Sequence, residues 1–564
     1  EVGSLVEQVV VTAEAPLLDM ETAMAGHLVT SETVLRMPNP QRHIYSLPWI
    51  FPSVTSQAGW GHAAGQRSRA FNVTLDGVPG VEPVRGGLDS GNRSLSSPEE
   101  NMEEVKILTS VLPAEYGHTG GGAMNITYKS GTNQLHGVAK ERYTSKSMIH
   151  RNWQDPAVPS QAFGYHVMGA TGSGPVVLPK IYNGRNRTFW LTGFQRHHEK
   201  VSENNNVNVP SPAMYAGDFS FGGIGDPIYD PATLTLLPNG TYSRTQFAGN
   251  RIPQTRFDPA VQKFLSFKPW TGEDNRNNQM FMTRQGPQWG LSKDTRARYY
   301  LTGYDFKIDH SFSDYHKIFG RFSDYRRRGP GNGRWQVAVA DPIFDYQSTG
   351  IPSDQGQLAI SDTNTINPTT INEIRVATNR RKFTRLPASL NQNWAGQIGI
   401  PNVGPETMPT FLNSGGGNLF SRFPEGATVE VTENVSVQEN LTKVRGRHTF
   451  KTGYELLRTR ANTLVNAQPS GQYRFGGTEL PFTPNTGNDF ASFLLGGVVR
   501  ADFTKSLATW LPRWWTNSLY FQDDWKVTPK LTLNLGLRWQ YETPFNTKYG
   551  QQSQFSPDAI DPLT

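Results

Sequence analysis

Cysteine is absent from all 564 residues of the sequence. This absence excludes disulfide bonds, thiolate nucleophiles and metal sites built on cysteine ligands. No apolar run reaches about 18 residues, the length that predicts a membrane-spanning helix. Charged residues are scarce at 18% of the chain, against about a quarter in average soluble domains. A transmembrane β-barrel is not excluded, because its strands alternate apolar with polar residues and therefore contain no long apolar run.

Glycine, asparagine, serine, threonine and aromatic residues take the place of charge, with 55 glycines and 11% aromatics. This composition favours strands and long loops over helices. The chain carries a formal net charge of +6, but no nucleic-acid-binding motif accompanies it. We therefore predict a mainly β protein with no nucleic-acid partner.

One pattern repeats from about residue 135 onward: two alternating strands joined by a short turn, followed by a long polar loop. Alternation of short and long connections is typical of up-and-down antiparallel barrels with one elaborated end. About eleven strands are predicted, near residues 136–146, 162–173, 187–199, 298–312, 316–327, 355–364, 371–382, 430–442, 448–460, 513–525 and 530–541. The main long loops are predicted at 200–297, 328–354, 383–429 and 461–512. An odd number of strands leaves an edge, so the sequence reads as the N-terminal part of a longer chain.

The clearest strand covers residues 531–541. One face carries only apolar residues, namely Leu531, Leu533, Leu535, Leu537, Trp539 and Tyr541, and the other carries Thr532, Asn534, Gly536, Arg538 and Gln540. A water-soluble sandwich would also alternate. The neighbouring strand places Trp515 and Trp525 roughly 33 Å apart, or about 25 Å along the membrane normal when tilted. That distance matches an apolar band between two aromatic girdles, so we predict that the leucines face lipid.

The first 134 residues hold a series of short motifs. It begins with Glu7-Gln8-Val9-Val10-Val11-Thr12-Ala13 and continues with Leu75-Asp76-Gly77-Val78-Pro79, Glu115-Tyr116-Gly117 and a segment containing Gly121, Gly122 and Asn125. The series resembles the plug of TonB-dependent outer-membrane receptors, in which the first segment is the TonB box. The ending Lys129 to Asn133, followed by His136-Gly137, is similar to the Oar-like branch of that family.

The resemblance implies an N-terminal α+β plug inside an antiparallel transmembrane barrel of about 22 strands in the complete chain, of which about half are present here. The expected domains are a TonB-box segment at 1–14, a plug at 15–134 and a partial barrel at 135–564. It also implies TonB with ExbB and ExbD as partners, outer-membrane lipid and lipopolysaccharide as surroundings, and the outer membrane of a Gram-negative bacterium as location. The extracellular substrate is unknown, with iron chelates, glycans and peptides all open.

The segment from Glu7 to Ala13 has the chemistry that such a box needs. Val9, Val10 and Val11 are β-branched and favour an extended backbone, which can add to the edge of another sheet. The alternative is that this segment is the first strand of the plug itself.

Basic residues recur where upward strands end. Six form the predicted rim on the long-loop side: Arg196, Arg326, Arg327, Arg328, Arg380 and Arg381. The functional interpretation is contact with lipopolysaccharide phosphates or attraction of anionic substrates. The alternative is a solvated rim that happens to be positive.

Catalytic signals are poor. The sequence has no H-E-x-x-H motif, and its 12 histidines are scattered. The plug glycines are not followed by the lysine and hydroxyl pair of a phosphate-binding loop. We expect no enzyme activity, no cofactor and no metal site. The hypotheses are a receptor that imports a substrate through remodelling of its plug, and a surface structural or adhesion protein anchored by its barrel; a secreted β-rich enzyme lacks any catalytic constellation.

Overall fold

The computed structural model describes residues 25–36, 47, 51, 54–57, 60–63, 65–66, 71–80, 97–110, 112–148, 163–220, 227–267, 280–283, 286–329, 353–386, 389–413, 427–465, 468–476, 486–504, 506 and 508–551. The predicted TonB box, Glu7 to Ala13, lies outside the described residues. In the part of the chain that is described, no helix is long and apolar enough to cross a membrane.

Five strands form the N-terminal sheet: β1 Ala25–Thr30, β2 Phe71–Leu75, β3 Val78–Pro79, β4 Met102–Ser110 and β5 Gly122–Tyr128. Their spatial order is β1-β4-β5-β2-β3, with only β2 and β5 parallel. The short helix α1 Ser31–Arg36 and the 3-10 turn Glu99–Asn101 accompany the sheet, as does the hairpin of Val54–Gln57 with Trp60–Ala63. Val73, Ile107 and Ile126 are fully buried in its core.

A second, much larger sheet follows, which we call the wall sheet. Its main path contains eleven strands in sequence order, each antiparallel to the next. They are β6 His136–Thr144, β7 Phe163–Pro175, β8 Thr188–Pro210, β9 Gly286–Ser311, β10 His316–Arg328, β11 Ser353–Asn367, β12 Thr370–Arg385, β13 Thr428–Arg445, β14 His448–Val465, β15 Pro512–Thr528 and β16 Leu531–Glu542. Met280–Thr283 pairs with β9 and Asn546–Thr547 with β15.

Each of the eleven predicted strands coincides with a strand of the wall sheet. The predicted loop over 200–297 was wrong at both ends. There β8 continues to Pro210 and β9 begins at Gly286, and the two pair up to Pro210 opposite Gln288. This stretch includes Asn204, Asn205 and Asn206. Strand pairs that extend past the apolar part of the wall sheet need no apolar face. Residues 201–210 and 286–297 therefore lack the apolar–polar alternation by which the other strands were predicted.

The short turns of the wall sheet lie together at one end. Neighbouring turns are joined by backbone hydrogen bonds, in which Ser311 N donates to Arg187 O at 2.7 Å, Thr365 N to Tyr315 O at 2.7 Å, Val444 N to Thr369 O at 2.8 Å and Lys526 N to Arg447 O at 2.9 Å. The alternation of short and long connections predicts that these turns share an end, and the hydrogen bonds confirm it; residues 7–13, expected at the same end, lie outside the described residues. Between β7 and β8 the connection is longer and contains the small hairpin Val177–Leu178 with Tyr182–Asn183.

The two faces of β16 differ as predicted. The side chains at odd positions from Leu531 to Tyr541 are 37–75% exposed, with Leu537 the highest. Arg538, on the other face, is only 13% exposed and contacts the N-terminal sheet. The leucine face is therefore the outer face of the wall sheet, and the polar face is the inner one.

Within the described residues, the loops that follow β8, β12 and β14 fold together into a loop module with its own apolar core. Four helices contribute to it: α2 Pro212–Tyr215, α3 Pro259–Ser266, α4 Trp394–Ile398 and α5 Asp489–Leu494. A three-stranded sheet joins Thr410–Leu412, Gln468–Phe475 and Val498–Thr504. Smaller elements of the module are the hairpin Thr235–Leu236 with Tyr242–Ser243 and the 3-10 turns Pro231–Thr233, Ala248–Asn250 and Gln254–Arg256, while a further 3-10 turn, Lys146–Met148, follows β6. Phe264, Trp394 and Phe493 come from three different loops and share this core.

Candidate functional site: the contact between the N-terminal sheet and the wall sheet

The motif Leu75 to Pro79 forms the tight turn between β2 and β3. Asp76 and Gly77 both have positive φ, at 45° and 76°, and a glycine adopts such a conformation without strain. A Cβ atom on Gly77 would also overlap the guanidinium of Arg375 on β12. The positive φ therefore requires glycine at this position, whereas the Arg375 side chain could move aside to admit a Cβ atom.

The Asp76 carboxylate joins the two sheets. Its Oδ2 lies 2.9 Å from Nε of Arg321 on β10, and its Oδ1 accepts a hydrogen bond from Tyr128 N at 3.0 Å. Arg321 Nη2 also donates to Leu75 O at 2.9 Å, and its guanidinium lies 4.7 Å from the centre of the Tyr128 ring. A buried charge is tolerated only when it is paired and hydrogen-bonded. The geometry supplies both conditions to Asp76 and Arg321.

The remaining residues of this turn also contact the wall. Val78 is fully buried against Ala359 and Ala377, and Pro79 O accepts a hydrogen bond from Asn379 Nδ2 at 2.8 Å. The whole predicted motif from Leu75 to Pro79 is therefore held by β10, β11 and β12.

Asp305 on β9 is a second junction, and it is 3% exposed. Its Oδ2 accepts from Ser97 Oγ at 2.6 Å and Asn101 Nδ2 at 3.1 Å, both next to the N-terminal sheet. Its Oδ1 accepts from Ser323 Oγ and Tyr325 OH, each at 2.7 Å, on the wall. Four donors from both sheets thus satisfy one buried carboxylate.

The connection between β4 and β5 contacts the opposite part of the wall. Arg538 Nη2 on β16 lies 2.7 Å from Glu455 Oε2 on β14. Arg538 Nη1 donates to Ala114 O at 3.4 Å and Glu115 O at 3.3 Å. His118 Nε2 lies 3.1 Å from the same Glu455 oxygen. The predicted residue Glu115 therefore belongs to a contact with β14 and β16.

Two more predicted residues lie in this connection. A Cβ atom on Gly117 would overlap the Arg538 guanidinium, so glycine lets the backbone approach the arginine. Burial raises the pKa of the Tyr116 phenol well above its usual value, which keeps this hydroxyl protonated.

The hydrogen bonds of Gly121, Gly122 and Asn125 lie inside the N-terminal sheet and its preceding turn. The amides of Gly121 and Gly122 donate to Thr119 Oγ1 at 3.3 and 3.1 Å. Asn125 Oδ1 accepts from Thr74 Oγ1 at 2.9 Å across the β2–β5 pair. These residues shape the sheet that carries the contacts.

A fourth polar contact involves β6. Glu99 and Glu100, 5% and 9% exposed, face two cations of that strand. Lys140 Nζ lies 2.5 Å from Glu100 Oε2, and Arg142 Nη1 lies 2.8 Å from Glu99 Oε2. The N-terminal sheet is thus bound from β6 at one edge of the wall to β16 at the other, which places it on the inner face.

The wall-side partners Asp305, Arg321 and Glu455 were not identified from the sequence. The alternation along β9 was a usable signal for Asp305. Its neighbours Tyr304 and Phe306 belong to the apolar face of the strand, so Asp305 belongs to the opposite, inward face. Which residue each inner charge meets depends on the tertiary fold. The described residues contain no group of three histidine, aspartate or glutamate side chains that could hold a metal ion.

The six predicted rim arginines do not share one face. Arg196, Arg326, Arg328 and Arg380 are exposed, whereas Arg327 and Arg381 are 2% and 9% exposed. Successive residues of a strand point to opposite faces, so consecutive arginines had to separate. Arg327 and Arg381 therefore point to the inner face of the wall sheet, and the other four arginines point to its outer face.

Residues 127–562 match a protein family described as "Outer membrane beta barrel domain". No curated protein sequence matches the chain. Solved structures with a similar fold include the ferric enterobactin receptor of Pseudomonas aeruginosa, with a TM-score of 0.52, 12% identity, and coverage of 93% of this chain and 58% of that one. The outer membrane transporter YddB of Escherichia coli has a TM-score of 0.51, 10% identity, and coverage of 92% and 57%.

The siderophore receptor of Acinetobacter baumannii is similar as well, with a TM-score of 0.50, 14% identity, and coverage of 92% of this chain and 56% of that one. These proteins are receptors and transporters rather than enzymes. The chain spans less than two thirds of their length. At identities this low, the structural similarity shows a common fold and nothing more specific.

Proposed function

The chain belongs to the outer membrane beta barrel domain family, and on that premise we propose that it is a TonB-dependent receptor that imports an extracellular substrate. The family places it in the outer membrane of a Gram-negative bacterium. In this proposal residues 15–134 are the plug, residues 135–564 belong to the barrel, and substrate import requires the plug to be remodelled. Membership of the Oar-like branch stays a prediction.

The observation that carries the proposal is the polar character of the contact between the two sheets. Asp76 with Arg321, Asp305 with its four donors, and Glu455 with Arg538 join them through ion pairs and hydrogen bonds. Water can replace such partners when the sheet moves, so the net cost of separation is small compared with the gross strength of the bonds. A contact of this kind suits a plug that must rearrange and close again.

Energy coupling is assigned to the segment from Glu7 to Ala13. Its consecutive valines favour an extended strand, and an extended strand can pair with the edge of a TonB sheet. TonB, energised by ExbB and ExbD, would then act on the chain just before β1. Support for this step comes from the sequence of the segment.

Substrate recognition is assigned to the long-loop end of the protein. The loop module offers a folded surface there, and in this proposal the plug segments at 56–70 and 80–98, most of whose residues lie outside the described ranges, contribute as well. The similar solved structures are named as receptors for ferric enterobactin and siderophores, which favours a metal chelate as the first class of substrate to assay.

A cysteine-labelling experiment tests the proposal. Because the sequence contains no native cysteine, the label reacts only with the introduced thiol. Ser97 is 7% exposed at the contact with Asp305, so Ser97→Cys places a thiol where only plug movement would uncover it. We expect a small maleimide to label this variant faster in cells with TonB and a proton-motive force than in cells without TonB. Ser243→Cys, at an exposed position of the loop hairpin, is the matched serine control and should label equally in both.

The alternative function is a surface structural or adhesion protein, and the packed loop module is the observation that favours it. A barrel used only as an anchor has no reason to move its N-terminal sheet. Equal labelling of Ser97→Cys with and without TonB would therefore support the anchor and contradict the receptor.

A further inference from the structure

The three-stranded sheet of the loop module, which we call the module sheet, has one aromatic face and one polar face. Tyr473 and Phe475 belong to the apolar core of the module, and Phe411 packs against that core. Successive side chains of a strand point to opposite faces, so Gln472 and Arg474 lie on the other, polar face. The aromatic face explains why the module folds, and the polar face is left for another role.

Two arginines lie directly opposite each other on this polar face. Arg474 of the middle strand is in register with Arg500 of the neighbouring antiparallel strand. The Cβ atoms of such a cross-strand pair are about 4.5–5.5 Å apart, and like charges placed in this way destabilise a sheet. The pair therefore costs the module stability unless an anion binds between the two guanidinium groups.

A β-bulge lies beside the arginine pair. The register between the two strands shifts immediately after Arg474, so that Phe475 is opposite Val498 and Val499 is the extra residue. Bulges are common next to functional sites, where they redirect a side chain and interrupt the ladder. The regular pairing of these strands therefore ends at the two arginines.

The two arginines differ in their partners. Arg500 Nη2 lies 2.8 Å from Asp502 Oδ1, and Arg500 Nε donates to the same oxygen at 2.8 Å. Within the described part of the chain, Arg474 forms no ion pair, and its buried Nε has no hydrogen-bond partner. Buried charged donors normally meet an acceptor. Arg474 therefore has donors available for an acceptor that belongs to another molecule.

The polar face is closed on one side of the pair and open on the other. Leu412, which is in register with Arg474 on the third strand, is 1% exposed, and Gln472 is 7% exposed. The Arg500 side chain, in contrast, is 62% exposed. A ligand can therefore approach from the side of Arg500, and the buried side keeps water away from Arg474, which strengthens its electrostatic interactions.

We propose that Arg474 and Arg500 form a binding site for an oxyanion group, a carboxylate or a phosphate, of the extracellular substrate. Each planar guanidinium group offers paired N–H donors that match two oxygens of such a group. An anion bound between them replaces one repulsion by two attractions. The inference rests on the proposed import function only in treating the group as part of a substrate, because anion binding itself needs no TonB.

Isothermal titration calorimetry of the full-length protein in detergent, at low ionic strength, tests the site with citrate and with inorganic phosphate as probes. Arg474→Gln should bind the preferred probe about tenfold more weakly than the wild type or worse, because it removes charge-assisted hydrogen bonds. Arg474→Lys keeps the charge but loses the paired donors, so its affinity should lie between. The matched control is Arg251→Gln, at an exposed arginine of the same module that pairs with Asp218 at 3.0 Å, and it should bind like the wild type.

The stability of the module gives a second readout, which a purely structural arginine would not produce. Without an anion, Arg474→Gln should leave the loops at least as resistant to protease as in the wild type, because it removes the repulsion between like charges. The preferred probe should raise the resistance of the wild type and leave that of Arg474→Gln unchanged. The probe that binds more tightly identifies the bound group as a carboxylate or a phosphate.

Four results would each overturn the proposal: no binding of either probe, equal binding by the wild type and Arg474→Gln, an equal loss in Arg251→Gln, or displacement of the bound probe by an equal concentration of chloride. The last of these would show only a general attraction of anions. Equal labelling of Ser97→Cys with and without TonB would contradict the import function and leave this site intact, so the two failures are distinguishable.

Discussion

Arg321 of the wall sheet and Asp76 of the N-terminal sheet form an ion pair whose side chains are 0% and 3% exposed. Asp76 also accepts a hydrogen bond from the backbone amide of Tyr128, and Arg321 donates one to the carbonyl of Leu75. Each partner compensates the other for the loss of water, so neither is stable in this place alone.

We expect Arg321→Met to destabilise the docked N-terminal sheet by about 3 kcal/mol, because it leaves the Asp76 carboxylate buried and unpaired. The double variant Asp76→Asn/Arg321→Met should recover much of this loss. Urea titration followed by proteolysis of the N-terminal sheet measures both. A single variant as resistant as the wild type would contradict the role given to this pair.

The outer face of β16 gives a second prediction. Leu535→Arg should destabilise the full-length barrel by roughly 2–4 kcal/mol, because the arginine would face lipid near the midplane. Asn534→Arg points inward and should cost less, apart from the lost hydrogen bond to Asp524 at 2.8 Å. Denaturant unfolding of both variants in liposomes is the measurement. Equal destabilisation would remove the lipid-facing assignment.

The proposed TonB box is tested by Val10→Pro. Proline removes a backbone donor and fixes φ, so a strand containing it cannot complete a β-ladder. We expect this variant to lose binding to the purified C-terminal domain of TonB. Val2→Pro, outside the proposed box, should bind normally. Undiminished binding of Val10→Pro would show that another segment is the box.

The loop module should depend on Phe493, which is fully buried and lies 5.2–5.9 Å from the rings of Phe264, Phe411, Phe475 and Phe490. Phe493→Ala should destabilise the module by about 3–5 kcal/mol. Phe503→Ala, at a ring that is 52% exposed, is the control and should cost little. Protease cleavage of the loops on intact cells reports the module, and heat-modifiable electrophoretic migration reports the barrel, which should stay folded in both variants.

Acid should weaken the loop module through Asp230. Two hydrogen bonds from Arg256, at 2.9 and 3.0 Å, hold the pKa of this carboxyl below its usual value. Its stabilising contribution is therefore complete above the unfolded pKa of about 3.9 and is lost as the pH falls through the lower folded pKa. The effect should stay below about 1 kcal/mol, because Arg256 is partly exposed and screened by water.

Hydrogen exchange of α5, corrected for the intrinsic pH dependence of exchange, measures this contribution. Asp230→Asn should show weaker protection at neutral pH and a flatter profile in acid. A wild-type profile in this variant would show that Asp230 does not couple to the module.

The sequence predicted the wall sheet because its signal is local. Residues 531–541 alternate apolar and polar without exception, and period two assigns each side chain to a face. The same rule would have separated Arg326 from Arg327 and Arg380 from Arg381. Consecutive residues of one strand cannot share a face, so the rim could have been divided without a structure.

The loop module and the contact between the sheets were beyond local reasoning. Phe264, Trp394 and Phe493 lie in three loops with strands of the wall sheet between them, and no periodicity relates them. Asp76 and Arg321 are likewise far apart in the sequence. Their pairing depends on how the N-terminal sheet packs against β10 in the tertiary fold, which no short segment of sequence encodes.

The edge position of β1 has a mechanical consequence. Among the strands of the N-terminal sheet, β1 pairs with β4 alone, while the anchors at Asp76 and Arg538 hold the β2–β3 turn and the β4–β5 connection. Within the described residues, a tensile load applied from the N-terminal side enters at β1 and crosses the ladder from Ala25 to Thr30 before it strains either anchor. The sheet would then unzip from one side, bond by bond, and the anchored remainder would stay seated as a template on which β1 can re-form when the load is released.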